Sequence, residues 1–133
     1  MHLGRKFGFA EATTDTATLL TDPGTDAVVI STRHDTHADY VLRALGAGKH
    51  VFVEKPLALD VDEVDEIIAA ADASGRNVCV GHDQLFDPAW LECRRRVDAG
   101  DIGAVRHVES VLGYPLSGQF GALVAADPAH WVR

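Results

Sequence analysis

The 133 residues are enough for one domain with a hydrophobic core, and 47% hydrophobic and 24% charged residues are typical of an ordinary globular protein. The net charge of −8 argues against binding to nucleic acid or to an anionic membrane surface. No apolar stretch is long enough to span a membrane and no signal peptide is visible, so we expect a cytoplasmic protein. Its two cysteines, Cys79 and Cys93, are not in a metal-ligand spacing and are expected to be reduced.

The first 26 residues predict short elements: the tail of a helix, a short strand around residues 10–12 and a helix from Asp15 to Leu20. This region contains no Gly-x-Gly-x-x-Gly, the pattern that places a dinucleotide pyrophosphate at a helix N-terminus.

Residues 26–82 alternate apolar, β-branched runs with helical patterns. Strands are predicted over residues 26–32, 50–54 and 77–82. The first intervening helix has Thr36 as its predicted N-cap, and four positions at helical spacing should be buried: Ala38, Val41, Leu42 and Leu45.

The second helix has Asp60 and Glu63 in the spacing of a capping box and Gly75 at its end. The residues expected on its buried face are Val61, Val64, Ile67, Ile68 and Ala71. Strands that alternate with helices over short connections predict right-handed crossovers and an open parallel α/β sheet.

Ligands of such sheets bind outside the carboxyl ends of the strands. All three ends are polar here, and we expect them to lie side by side: Ser31-Thr32-Arg33-His34, Glu54-Lys55-Pro56 and Gly81-His82-Asp83-Gln84.

Lys55 is the strongest candidate for chemistry at this edge. It is interpreted either as a hydrogen-bond donor or general acid, or as a surface lysine paired with Glu54 in a turn. Pro56 favours the functional interpretation, because the residue before a proline is restricted in its backbone.

The histidines near the strand ends have less specific contexts. For His37 we favour a capping or pocket-lining role over a metal site, because no third ligand accompanies His34 and His37 at a suitable spacing. His82 is interpreted as a hydrogen-bonded loop residue, with proton transfer near Lys55 as the alternative.

The C-terminal third predicts a helix that starts near Pro88 and ends at Gly100, with Trp90, Leu91 and Val97 in a core. Its basic run, Arg94-Arg95-Arg96, is interpreted as a solvated helix face, and Cys93 as a packed side chain. Residues 104–114 are β-rich and predict a strand of a second, mostly antiparallel layer.

Together, these segments resemble one family. The stretch "TDAVVISTRHDTHADYVLRALGAGKHVFVEKPLALD", its continuation to Trp90 and the later "DAGDIGAVRHVES" are similar to the middle of the Gfo/Idh/MocA oxidoreductases. The resemblance covers roughly residues 8–114, with the "AGKHVFVEKP" run and the "GDIG" turn in the family's order.

The resemblance implies a nicotinamide-binding Rossmann domain followed by an α/β domain, and oxidation or reduction of sugars, polyols and related compounds. It assigns Lys55 a contact with the substrate hydroxyl and the nicotinamide ribose, in proton transfer. The cofactor-binding residues that it implies are Ser31, Thr32, His37, Glu54, Lys55 and Pro56. No metal site is expected, because no suitable set of ligands is visible in the sequence.

We therefore expect an internal fragment with an α/β fold. Residues 1–103 would form a partial Rossmann-type parallel sheet that lacks its first βαβ unit, and residues 104–133 the start of a second α+β domain. The complete protein would bind NAD or NADP and a small sugar or polyol, and associate with further copies of itself. Without the glycine-rich loop, we expect this chain alone not to catalyse.

An alternative from another class stays open at this point. The chain would be a non-catalytic α/β binding or subunit module that needs a partner chain, because a sheet without its first strands has an exposed edge.

Overall fold

The computed structural model describes residues 2–111 and residues 122 and 126. The chain divides into two compact units, Met1–Val80 and Gly81–Arg133, and the predicted boundary between residues 103 and 104 stays a prediction. In the first unit the elements are α1 (His2–Phe7), α2 (Thr16–Thr21), β1 (Ala27–Ile30), α3 (His37–Gly46), β2 (His50–Val53), α4 (Val61–Ser74) and β3 (Val78–Val80). The second unit contains α5 (Pro88–Asp98).

The first unit is built on a three-stranded parallel sheet in the order β1-β2-β3. Ala27 lies opposite His50, and Val51 lies opposite Val78. Helices α3 and α4 follow β1 and β2 and carry the chain back to the amino edge of the sheet. The predicted α/β fold is thereby confirmed, with each strand shorter than expected.

One face of the sheet forms the core together with α3 and α4. Since successive side chains of a strand point to opposite faces, alternate positions of β1 and β2 meet the helices. The buried hydrophobic residues are Ile30, Val51 and Val53 from the strands, Ala38, Val41, Ala44 and Leu45 from α3, and Ile67 from α4.

The opposite face of the sheet is apolar but exposed. Val29, Phe52 and Cys79 lie side by side across the three strands, and Val29 is 73% exposed and Phe52 38% exposed. Parallel sheets are normally covered on both faces. This face of the first unit differs, because its row of apolar side chains is exposed.

Two predicted core positions of α4 are wrong. Val61 and Ile68 are exposed, whereas Ile67 is buried. Val61 is the first residue of the helix, and Ile68 is turned by about 100° from Ile67, away from the face that packs on α3. Leu42 of α3 is only partly buried.

The ends of α4 form as predicted. The carboxylate of Asp60 accepts a hydrogen bond from the Asp62 amide at 2.8 Å, and Gly75 ends the helix with a φ of 64°. Glu63 reaches back as in a capping box, although its carboxylate accepts from the amide of Leu59 instead of Asp60. The left-handed conformation at Gly75 favours glycine there.

The strands predicted near the two ends of the chain, and the core predicted for α5, are not confirmed. Residues 10–12 form no strand, and neither do residues 104–111, while residues 112–114 lie outside the described residues. Trp90, Leu91 and Val97 are exposed, so the prediction that they lie in a core is wrong.

On α5, the side chains of Arg95 and Arg96 both donate to Glu92 at 2.8 Å, which confirms a solvated, ion-paired helix face. Cys79 and Cys93 are exposed free thiols, so the prediction that Cys93 is packed is wrong. Within the described residues, none of the helices has the length and apolarity that crossing a membrane requires.

A buried lysine, which the sequence analysis did not single out, fixes the amino edge of the sheet. Lys49 is 7% exposed, and its Nζ donates to the carbonyls of Asp22 and Thr25, each at 2.7 Å. These carbonyls belong to the turn between α2 and β1, so Lys49 links the start of β2 to the start of β1.

Replacing Lys49 by Met should lower the free energy of unfolding by about 2 kcal/mol, because two carbonyls lose a charged donor. Urea unfolding measures the change. The exposed Lys6→Met variant is the control, expected within about 0.5 kcal/mol of the wild type. Equal stability of Lys49→Met and the wild type would contradict this role.

The turn itself responds to acid. Hydrogen bonds from the Gly24 amide and the Thr25 hydroxyl, helped by the charge of Lys49, hold the pKa of Asp22 below its usual range. Because the folded-state pKa is the lower one, this carboxylate stabilises the fold above its unfolded-state pKa, and the contribution is lost as pH falls through the folded-state pKa. In Asp22→Asn we expect the free energy of unfolding, measured with urea, to fall less steeply as the pH is lowered. The same pH dependence in the variant and the wild type would contradict the stabilising role of this carboxylate.

Candidate functional site

The carboxyl ends of β1 and β2 lie next to each other in the first unit. The last backbone hydrogen bond between them runs from the Glu54 amide to the Ile30 carbonyl, at 2.9 Å. The segments that leave the two strands, Ser31-Thr32 and Glu54-Lys55, therefore start at neighbouring points of one edge, as predicted.

Polar groups at this edge are accessible to a ligand. The side chains of Ser31, Thr32, Glu54 and Lys55 are exposed, and Pro56 is half-buried. The peptide bond between Lys55 and Pro56 is cis. The edge thus offers hydroxyls, a carboxylate and an ammonium group, which can bind a polar, hydroxyl-rich molecule.

His37, the first residue of α3, lies beneath this edge and is fully buried. Its Nδ1 is 2.7 Å from the Pro56 carbonyl oxygen, and its Nε2 is 3.1 Å from the Thr32 carbonyl oxygen. A carbonyl oxygen can only accept, so the ring donates through whichever nitrogen carries a proton: to one carbonyl as a neutral imidazole, and to both only when both nitrogens are protonated. The ring therefore connects the segment after β1 to the segment after β2.

The segment between β1 and α3 has its own hydrogen bonds. The hydroxyls of Thr32 and Thr36 are 2.7 Å apart, and the Thr36 hydroxyl donates to the Arg33 carbonyl at 2.7 Å. Thr36 occupies the predicted N-cap position of α3, but its side chain makes no capping hydrogen bond because these partners occupy it. The ring of His34 packs edge-on against His37 at a centroid distance of 5.8 Å.

The third predicted strand end lies in the second unit. β3 ends at Val80, and His82 and Gln84 follow the division between the units. The proximity of His82 to Lys55 therefore stays a prediction. Throughout the part of the chain that the structure describes, no three histidine, cysteine or acidic side chains are grouped to hold a metal ion.

A groove of about 200 Å³ runs along the outer side of β1. It is mainly apolar and is lined by Thr16, Leu19 and Leu20 of α2, Val28, Val29 and Ile30 of β1, Thr32 and Tyr40. The sequence analysis did not predict this groove, because it depends on how α2 packs beside the strand.

The two carbonyl partners of His37 were not predicted from the sequence either. The histidine and Pro56 are 19 positions apart, and such a contact leaves no local pattern. The sequence does show a histidine at the start of a helix that follows a buried strand. A histidine there is close enough to bond to a neighbouring strand end, but the pattern does not say which residue is its partner.

Residues 2–82 match the model of an oxidoreductase family with an NAD-binding Rossmann fold. The chain is 40% identical over 101 residues to scyllo-inositol 2-dehydrogenase (NAD(+)) of Bacillus subtilis, covering 76% of this chain and 30% of the relative. It is 41% identical over 83 residues to inositol 2-dehydrogenase of Rhizobium meliloti, covering 62% and 25%.

Solved structures of dehydrogenases also resemble this chain. A probable dehydrogenase from Thermotoga maritima superposes with a TM-score of 0.73 at 32% identity, covering 77% of this chain and 31% of that one. Apo scyllo-inositol dehydrogenase from Lactobacillus casei gives 0.69 at 29% identity, covering 75% and 30%.

The chain thus spans between 25% and 31% of the length of these four relatives. The family match covers most of the first unit, including the sheet, α3, α4 and the polar edge. The resemblance noted from the sequence is confirmed, and the chain belongs to the Gfo/Idh/MocA family of oxidoreductases with an NAD-binding Rossmann fold.

Proposed function

We propose that this chain supplies the nicotinamide-binding edge and the proton-transferring lysine of an oxidoreductase. The reaction would transfer hydride between NAD or NADP and a sugar, polyol or related hydroxy or keto compound. The observation that carries the proposal is the exposed pair of polar strand ends, Ser31-Thr32 and Glu54-Lys55, on neighbouring parallel strands. The inositol dehydrogenase names of several relatives support the substrate class.

Oxidation of an alcohol removes a hydride from carbon and a proton from oxygen. A bound nicotinamide would supply the hydride acceptor for oxidation and the hydride donor for reduction. The Lys55 amine would accept the hydroxyl proton during oxidation, and its ammonium would return a proton to the carbonyl oxygen during reduction. The exposure of Lys55 at the strand end is compatible with contact to a small substrate.

The other residues at the edge fit the sugar part of a dinucleotide. The Glu54 carboxylate can accept hydrogen bonds from ribose hydroxyls, and the Ser31 and Thr32 hydroxyls can both donate and accept. Nothing in the 133 residues matches the glycine-rich pyrophosphate loop, so the fit covers the ribose and not the pyrophosphate. We therefore propose that this chain binds the cofactor weakly by itself and does not turn over substrate.

An NAD⁺ titration of the ¹⁵N-labelled chain, followed by NMR, tests the site. We expect saturable shift changes at the amides of Ser31, Thr32 and Glu54, with a Kd of about 1 mM or weaker. His50 and Asn77, at the amino edge of the sheet, are the internal controls and should not respond. Equal changes at both edges, or none at about 10 mM NAD⁺, would exclude the proposed site.

Lys55→Met should weaken the NAD⁺ affinity about fivefold, because the loss of one hydrogen bond of about 1 kcal/mol corresponds to that factor. The Lys6→Met control should bind as the wild type does. A Lys55→Met chain with unchanged affinity would remove Lys55 from the cofactor contact.

A second candidate is a non-catalytic subunit module, and one observation favours it. β1 is an edge strand of the described sheet, with the apolar groove beside it and Val29 exposed. If this candidate is right, sedimentation will show association between copies, Val29→Lys will abolish it, and NAD⁺ will leave the carboxyl edge unchanged. A monomer with NAD⁺-dependent shifts would support the oxidoreductase.

A further inference from the structure

We propose that His37 is a positioning residue that fixes the segment carrying Thr32 relative to the segment carrying Lys55. The family resemblance places His37 among the residues that line the dinucleotide, whereas the geometry points to an indirect role. This inference rests on the proposed function of the carboxyl edge and assigns one residue a task within it.

Burial distinguishes His37 from the binding groups at the edge. The His37 side chain is 0% exposed, while the side chains of Thr32 and Lys55 are exposed. A dinucleotide at the edge would meet the hydroxyl of Thr32 and the amine of Lys55 before it met the imidazole. An effect of His37 on binding would therefore pass through its neighbours.

Both nitrogens of the His37 ring already have partners within the protein. The two ring nitrogens face the carbonyl oxygens of Thr32 and Pro56, at 3.1 and 2.7 Å. These carbonyls lie beyond the last hydrogen bond of the β1–β2 ladder, from the Glu54 amide to the Ile30 carbonyl. His37 thus extends the connection between the strands past the point where the ladder stops.

His37 links two segments that carry proposed binding groups. The Thr32 carbonyl belongs to the residue whose hydroxyl is a proposed cofactor ligand, and Pro56 directly follows Lys55. A shift of either carbonyl would move a binding group with it. Misplacement of a reacting group by about 1 Å can cost about 100-fold in rate, so a rigid link here has functional value.

Core packing alone does not explain an imidazole at this position. An apolar side chain of similar size would fill the same space but leave the two carbonyls without this donor. No buried side-chain nitrogen or oxygen in the described part of the chain lacks a partner, and the His37 ring is satisfied by these contacts. The choice of an imidazole at this position is explained by the link.

The test compares His37→Phe, which removes every polar contact of the ring, with His37→Gln, whose amide can donate to one carbonyl. Val41→Ala is the matched control, because Val41 is also fully buried in α3 but makes no side-chain hydrogen bond. Residual dipolar couplings of the Thr32 and Lys55 amides report the orientation of the two segments relative to the sheet. The NAD⁺ titration is repeated for each variant.

We expect His37→Phe to change these couplings and to weaken NAD⁺ binding at least about fivefold, the factor for one lost hydrogen bond. His37→Gln should recover part of both effects, and Val41→Ala should alter neither. If His37→Phe does not fold, His37→Gln against Val41→Ala gives the same comparison.

Unchanged couplings and affinity in both His37 variants would overturn the proposal, as would equal changes in Val41→Ala. A failure of the proposed function is distinguishable, because the wild-type chain would then show no NAD⁺ response. The couplings alone would decide the positioning role in that case.

Discussion

The parallel pairing of β1 with β2 is the constraint on which the site depends. Because both strands run in the same direction, their carboxyl ends meet at one edge, and the chain must leave both ends there. Ser31-Thr32 and Glu54-Lys55 are brought together in this way although the 21 residues 33–53, including α3, separate them. An antiparallel arrangement of the same strands would place the two segments at opposite edges.

Two buried polar side chains reinforce this pairing beyond the backbone ladder. Lys49 binds carbonyls of the turn before β1, and His37 binds carbonyls after β1 and after β2. Burying such groups is unfavourable unless their hydrogen bonds are made, so each is stable only when the strands are correctly placed. The amino edge and the carboxyl edge of the sheet are each held by such a side chain.

Local patterns were enough to predict much of the first unit. The apolar runs predicted the three strands, and the caps at Asp60 and Gly75 predicted the bounds of α4. The motif around Lys55 indicated both the polar carboxyl edge of the sheet and the family. The errors at Ile68 and Trp90 arose because periodicity identifies an apolar face without showing what covers it. The contacts of Lys49 and His37 were not predicted, because they join residues far apart in sequence.

The side chains of the strands do little to fix the register in which the strands pair. β1 reads Ala-Val-Val-Ile and β3 reads Val-Cys-Val, so sliding either past β2 by one residue would replace one apolar side chain by another on both faces. A chain with polar residues at alternate positions would penalise that movement, but this one does not. A slip of β1 past β2 by about 3.3 Å would, however, break the contacts of Lys49 and His37. Their specificity for one alignment of β1 and β2 compensates for a sheet whose apolar pattern permits several.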